Sequence, residues 1–284
     1  MKPAPEMMRR AARRFQTCLW GGAASFASPF QSSAIGANPL ACIVALHRVS
    51  NAWHDELTYP VEAFREMCRY WNDAFEVMAL PELRRRRARG ACGRPERPLL
   101  AITFDDGYAD NAEVAAPILL QQGLPATFFV VTGALGREPR WPWDRMPRPP
   151  RMMSWQQAQG LEQAGFAVGS HTVSHPRLPR LNPNELRHEL EQSLAMLRWH
   201  LRSPSLDFAY PFGSPGDCRE AERRAIEAAG YASCLSCHGG VLWGDEDDYA
   251  LPRISLSPRW HARPRDFRKY FDSLCLNHSG IGNE

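Results

Sequence analysis

Lysine is almost missing from this 284-residue chain: Lys2 and Lys269 are the only two, so nearly all of its 34 basic side chains are arginines. A bias on that scale reflects coding composition before it reflects function. A dominant charge is lacking as well, because 31 acidic residues leave a formal +3, too even to point to a nucleic-acid partner. No run of about 18 apolar residues occurs, which excludes a membrane-spanning helix. At 44% apolar and 23% charged the bulk of the chain is not disordered either. No fixed-period repeat is present, which excludes a solenoid or propeller. The eight cysteines (18, 42, 68, 92, 218, 234, 237 and 275) form no disulfide framework. They read as mostly reduced thiols and hence as a cytoplasmic protein. What remains is one large or two small domains with enough chain for a sizeable core.

Residues 1–38 read as a leader. Arg9, Arg10, Arg13 and Arg14 precede Cys18–Phe30, a short Gly- and Ser-rich imitation of a signal-peptide apolar region, interrupted by Pro29. Disorder or a peripheral contact with the inner membrane fits this stretch better than cleaved secretion. A second basic cluster, Arg84 to Arg87 with Arg89, reads as a solvated face or loop, with attraction to anionic lipid or polymer as the alternative.

From Ala41 onward the pattern changes. Ala41–Leu46 is a short apolar run that reads as a buried strand delivering His47 at its end. Helices are expected over Val61–Trp71 and Pro81–Arg89. Leu99–Phe104 is a second strand, followed by Asp105-Asp106-Gly107-Tyr108, a helix over Asn111–Gln122, and a third strand over Ala126–Val131. This βαβ unit, apolar on both strand faces, implies a parallel sheet covered by helices. It recurs as helix 154–164, strand 166–170, helix 183–201, strand 206–210, helix 218–229 and strand 231–235. Asn182, Pro183 and Glu185 make a capping box for the helix at 183. Its leucines at 186, 190, 194, 197 and 201 form a core stripe, with His188 and His200 on the helix surface. Such alternation gives an open doubly wound sheet or a (β/α) barrel, and in both the strand C-termini form the functional rim.

Asp105, Asp106, His171 and His175 each follow directly on an expected strand, so the fold itself would gather them. The spacing His171-x-x-x-His175 lets two imidazoles grip one divalent ion, which on its own is weak evidence. Adjacent carboxylates at 105 and 106 point in different directions, so one can bind metal while the other stays free as a base. The bland alternative for Asp105-Asp106-Gly107 is a turn or helix cap. In Phe208-Ala-Tyr-Pro-Phe-Gly213 the strand stops at Pro211 and Gly213 allows close backbone approach, where an N–H could meet a developing oxyanion. Cys234-x-x-Cys237-His238 matches a haem-attachment pattern and half a zinc knuckle. It reads better as two buried thiols on a strand, with a redox role left open.

Taken in order, Thr103-Phe-Asp-Asp-Gly-Tyr108, Pro125-Ala-Thr-Phe-Phe-Val130, Gly169-Ser-His-Thr-Val-Ser-His175 and Phe208-Ala-Tyr-Pro-Phe-Gly213 resemble the polysaccharide deacetylases, the NodB-like carbohydrate esterases. The resemblance covers about residues 41–256, and Leu46-His47-Arg48-Val49 is similar to a subgroup with a His-Arg-Val start. It implies an α/β fold, a distorted (β/α) barrel of the polysaccharide deacetylase type, with residues 39–284 as the catalytic domain. It further implies Asp105 as catalytic base, Asp106, His171 and His175 as ligands of one divalent ion (Zn²⁺, with Co²⁺, Mn²⁺ or Ni²⁺ as alternatives), and the Phe212 N–H as oxyanion donor.

Three departures stand out. Ala209 replaces the motif arginine that orients the base, and Arg253 in Leu251-Pro-Arg-Ile-Ser-Leu256 is the candidate replacement. The Leu-x-His motif that carries the usual general acid is not recognisable, which leaves His47, His238 and His261. The Asp-x-x-Asp-Trp motif is absent, Asp245–Asp248 being a poor match. Tyr108, Tyr210 and His47 are expected substrate contacts, joined by Trp141 and Trp143 in the Pro/Arg/Trp-rich loop between Arg137 and Arg151. The implied activity is removal of N-acetyl groups from amino sugars of an oligo- or polysaccharide or lipid-linked glycan. An O-acetylesterase, a deformylase-like amidase and an inactive glycan-binding module are the alternatives.

Overall fold

The computed structural model describes residues 41–88, 97–138, 149–244 and 246–279. Seven parallel strands close on themselves: β1 (Ala41–Leu46), β2 (Leu99–Phe104), β3 (Thr127–Val130), β4 (Ala167–Ser170), β5 (Asp207–Ala209), β6 (Ser233–Gly239) and β7 (Leu251–Ser255). Neighbours in sequence are neighbours in space. β1 completes the ring by pairing with β2 from Ala41↔Leu99 to Leu46↔Phe104 and with β7 at Val44↔Ile254. Short strands flank the ring, Glu76–Val77 beside β2 and the antiparallel Val241–Leu242 beside β1. The expected (β/α) barrel is therefore the fold.

Helices α1 (Val61–Ala74), α2 (Leu80–Ala88), α3 (Ala116–Gln122, entered through a π-turn at Asn111–Ala115), α4 (Trp155–Gln163), α5 (Pro183–His200), α6 (Glu220–Ala228) and α7 (Pro264–Ser279) surround it. The Asn182/Glu185 capping box starts α5 as expected, and all five leucines of its stripe are buried. His188 is exposed, while His200 stacks on Trp155 at 4.0 Å. No helix among the described residues is long and apolar enough to cross a membrane.

Strand side chains alternate between two faces, and here the alternation positions the site. Ile43, Ala101, Phe129, Ala209, Leu235 and Leu251, one from each of six strands, meet inside the barrel. Their neighbours Val44, Ile102 and Phe128 face outward onto Phe64 and Trp71 of α1. Continuing the inward parity reaches 47, 105 and 171 just past the ends of β1, β2 and β4, and 237 and 253 within β6 and β7. Five chemically able residues are thus aimed at the barrel axis by period two alone.

The basic cluster at 84–87 divides in two. Arg85 and Arg86 pair with Glu82 and Glu76 at the surface. Arg84 turns under the barrel to Asp207 Oδ1 (2.9 Å), and Arg87 binds Glu246 and Asp248. Half of the expected solvated face is therefore an ion-pair network that closes the N-terminal end of the barrel. Asp248, from the poor motif match, belongs to that network and not to the rim. Residues 1–40, Arg89, Trp141 and Trp143 lie outside the described residues, and with them the expectations for the leader and the aromatic loop.

Candidate metal centre and catalytic cleft

At the C-terminal rim, Asp106, His171 and His175 converge, their ligand atoms all within 4.8 Å of one another. Asp106 Oδ1 lies 3.5 Å from His171 Nε2 and 3.4 Å from His175 Nε2. The chain bends sharply to achieve this. Asp106, Thr172, His175 and Phe212 all have positive φ (71°, 70°, 61° and 66°), and among the described residues they are the only non-glycines that do. Left-handed backbone is disfavoured for L side chains, and its confinement to one site marks where the fold accepts strain for geometry.

The donor set fits a divalent ion. His171 Nδ1–H donates to the Ala209 carbonyl at 2.6 Å, which leaves Nε2 with a lone pair facing Asp106. Asp106 Oδ1 is buried and makes no hydrogen bond. A buried carboxylate oxygen without a donor is costly unless a cation completes it. Burial, with His171 and His47 adding to it against Asp106, lowers the His175 imidazole to about 4, so it is neutral and ligand-competent at pH 7.

Asp105 faces inward beside this trio and meets Arg253 from β7, Nη1 to Oδ1 at 2.8 Å and Nη2 to Oδ2 at 2.7 Å. All five guanidinium N–H groups are used. Nε donates to the Ser236 carbonyl, Nη1 also to Thr103 Oγ1 (3.0 Å), and Nη2 also to Cys237 Sγ (3.0 Å). Burial alone would raise the Asp105 carboxyl. The Arg253 charge, reinforced by His171, overrides it and holds Asp105 well below the usual carboxylate range. Arg253 thus reaches Asp105 from β7, with only β1 between their two strands.

Cys234 and Cys237 face opposite ways, as residues three apart on a strand must. Cys234 packs outward, its sulfur 3.9 Å from that of Cys218. The register shift between β6 and β7 brings Cys237 to the base, where its thiol lies 3.3 Å from Asp105 Oδ2. Burial pushes that thiol up to about 12, so it remains an S–H donor. Gly213 packs on Cys237 so closely that a Cβ there would come within 2.2 Å of the cysteine Cβ. The turn that carries Phe212 is thereby fixed to β6. The Phe212 ring meets His175 at 4.9 Å and lies under Arg177 at 3.9 Å, and Arg177 pairs with Asp217.

Of the three histidines considered as general acid, only His47 is at this cluster. Burial lowers its imidazole, Asp106 and Asp105 raise it, and His171 and Arg253 lower it further; Nδ1 makes no hydrogen bond. His238 Nδ1 is engaged by the Gly213 carbonyl at 2.6 Å. His261 is buried near α7, with Asp266 as the charge acting on it.

Two expectations are corrected. Tyr108 is fully buried, packed with Val131, Ala134 and Met152 beneath the Arg48 guanidinium, and offers no face to a substrate. Tyr210 is buried too, its hydroxyl directed at the carbonyls of Gly213 and Ser214, so it braces the Phe212 turn from below. Motif membership does not reveal which face a tyrosine takes. Sequence reasoning also missed Glu189, a buried carboxylate in the α5 stripe, although an acidic residue among leucines at helical spacing was there to be noticed.

Residues 93–233 match the family model described as polysaccharide deacetylase. Among curated proteins, the chain is 28% identical over 165 residues to YxkH of Bacillus subtilis (strain 168), covering 58% of this chain and 54% of that protein. It is 27% identical over 165 residues to the poly-beta-1,6-N-acetyl-D-glucosamine N-deacetylase of Staphylococcus aureus (strain MRSA252), covering 55% and 53%. The chain thus spans about half the length of these curated relatives. Among solved structures it resembles the Streptococcus pyogenes deacetylase PplD in complex with acetate (TM-score 0.68, 20% identity, 82% of this chain and 98% of that one). It also resembles IcaB from Ammonifex degensii (TM-score 0.65, 22% identity, 79% and 95%). At these identities the structures establish a shared fold. His47, just past β1, and Cys237 and Arg253, on β6 and β7, lie outside the matched segment 93–233.

Proposed function

Residues 93–233 belong to the polysaccharide deacetylase family, and from that premise we propose that this chain is a metal-dependent hydrolase removing N-acetyl groups from amino sugars of a glycan. The observation that carries the reading is the junction of two units at one rim: a buried Asp/His/His trio and, beside it, a carboxylate held ionised by a fully buried arginine.

Asp106, His171 and His175 would hold the ion, Zn²⁺ by preference for two imidazoles and one carboxylate. When bound, such an ion polarises the amide carbonyl and lowers the pKa of its water from 15.7 towards ~7. Asp105 takes the proton of the attacking water. Arg253 keeps that carboxylate ionised and fixes the direction of its lone pairs, and the Cys237 S–H donates to the same oxygen. The Phe212 N–H donates to the oxyanion as the carbonyl becomes tetrahedral. The departing amine receives the proton that Asp105 took from the water, with His47 as the histidine at the cluster that relays it. The inactive-module alternative drew on the loss of the general acid and of the arginine at 209, and the Arg253–Asp105 pair speaks against the second of these.

The S. aureus relatives are named for poly-β-1,6-N-acetyl-D-glucosamine, which makes that polymer the first to offer. The test is acetate release from a panel of N-acetylated oligosaccharides and one sugar O-acetyl ester, with protein stripped by chelator and then reloaded. Release from N-acetyl substrates that disappears on stripping and returns with Zn²⁺ supports the reading. Release from the ester alone refutes it.

A further inference from the structure

The two histidines of the trio sit on a turn that is not relaxed. Thr172 and His175 both hold positive φ, which L side chains keep only where their surroundings hold them. Within the turn, the Thr172 hydroxyl accepts from the His175 N–H at 2.9 Å. The rest of the restraint comes from outside it.

On one side, Thr132 and Gly133 just past β3 donate their N–H groups to the Thr172 and Val173 carbonyls at 3.0 and 2.9 Å. Gly133 approaches so closely that a Cβ there would lie 2.7 Å from the Val173 oxygen. On the other side stands Glu189 of α5. Its carboxylate accepts from the Val173 N–H at 2.8 Å, the Ser174 N–H at 2.9 Å and the Ser174 hydroxyl at 2.6 Å. All three bonds go to Val173 and Ser174, two of the three residues between His171 and His175.

Glu189 is a buried carboxylate on α5, the helix whose leucines 186, 190, 194 and 197 and Ser193 are buried too. A carboxylate persists in such a place only if its oxygens are satisfied. The convergent donors of the turn satisfy it, and in return the charge fixes two successive peptide planes. We infer that Glu189 is the positioning residue of the metal centre: it presets the 171–175 turn so that both imidazole Nε2 atoms already converge on Asp106 when the ion arrives. This rests on the metal reading above. Without the carboxylate the ion itself must order the turn, and its affinity falls by that ordering cost.

The experiment is a chelator-competition titration of Zn²⁺ into the metal-stripped full chain, with melting temperature recorded beside it. Glu189→Ala is expected to weaken binding by about 10- to 100-fold, the range for groups that orient metal ligands. Glu189→Gln, whose amide oxygen still accepts both backbone N–H groups, is expected to recover most of that loss, as bulk packing alone would not require. Ser174→Ala changes an exposed residue without touching the core and is expected to weaken binding about three- to tenfold. Parent affinity in Glu189→Ala overturns the inference, and so does parent affinity in Ser174→Ala should the first variant fail to fold. If the parent chain binds no stoichiometric Zn²⁺, the metal reading falls, and the inference with it.

Discussion

Arg253 and Asp105 meet inside the barrel as a two-point ion pair, at 2.8 and 2.7 Å, with 0% and 1% of their side chains exposed. Removing the guanidinium leaves a buried carboxylate without compensation, so Arg253→Met is expected to cost about 3–5 kcal/mol of stability. Burial then dominates at Asp105 and its pKa rises. The acidic limb of the activity profile should move to higher pH and kcat fall by about 10²-fold. The pair's contribution is fully present above the ordinary aspartate value of about 4 and is lost as pH falls through the depressed folded value. Urea denaturation and a kcat–pH profile check both. An unmoved acidic limb counts against the pairing as the means of keeping the base ionised.

His175 gives the metal-free protein a pH dependence of its own. Its folded pKa, lowered to about 4, lies beneath the unfolded value of about 6.5. Between those values the unfolded chain binds the extra proton, so stability falls as pH drops from about 6.5 towards 4, by up to one proton's slope. His175→Gln should flatten that window in denaturation measured at successive pH values. The same slope in parent and variant would show that another group is responsible.

His47 is expected to matter to chemistry and not to metal content. His47→Gln should keep one ion per chain while kcat drops by about 10²-fold, and His261→Gln should leave kcat unchanged. Elemental analysis and steady-state kinetics on the same preparations separate the two. Full activity in His47→Gln would return the general acid to an open question.

The network beneath the barrel should act on stability alone. Arg84→Ala strips Asp207 of its cation, leaving the Ser205 and Ser233 hydroxyls, and is expected to cost about 3–5 kcal/mol with kcat intact. Arg85→Ala, which breaks a surface pair, should stay within about 1 kcal/mol. Equal losses in denaturation would mean that depth is not what separates these arginines.

Much of the barrel was legible because its strands are apolar on both faces: Ala41–Leu46 and Leu99–Phe104 have exactly the observed bounds. The convergence of Asp106, His171 and His175 was legible because all three residues follow strand ends. The closing strand Leu251–Ser255 was hidden by Pro252 and by a charge at 253, although Arg253 itself was expected to orient the base. Helix α7 went unread although Phe267 and Phe271 are one turn apart and both buried. Glu189 and Cys237 act through residues distant in sequence, so their roles required the third dimension. Tyr108 and Tyr210 were misread for the converse reason: proximity in sequence to the site says nothing of the face a side chain takes.

The most direct measurement is acetate release from poly-β-1,6-N-acetyl-D-glucosamine oligomers by the Zn²⁺-loaded parent and by Asp105→Asn, with metal content determined for each. The account predicts release by the parent, and retention of one ion with at least about 10²-fold slower release in the variant. Release of acetate by Asp105→Asn at the parent's rate, with the ion in place, would contradict it.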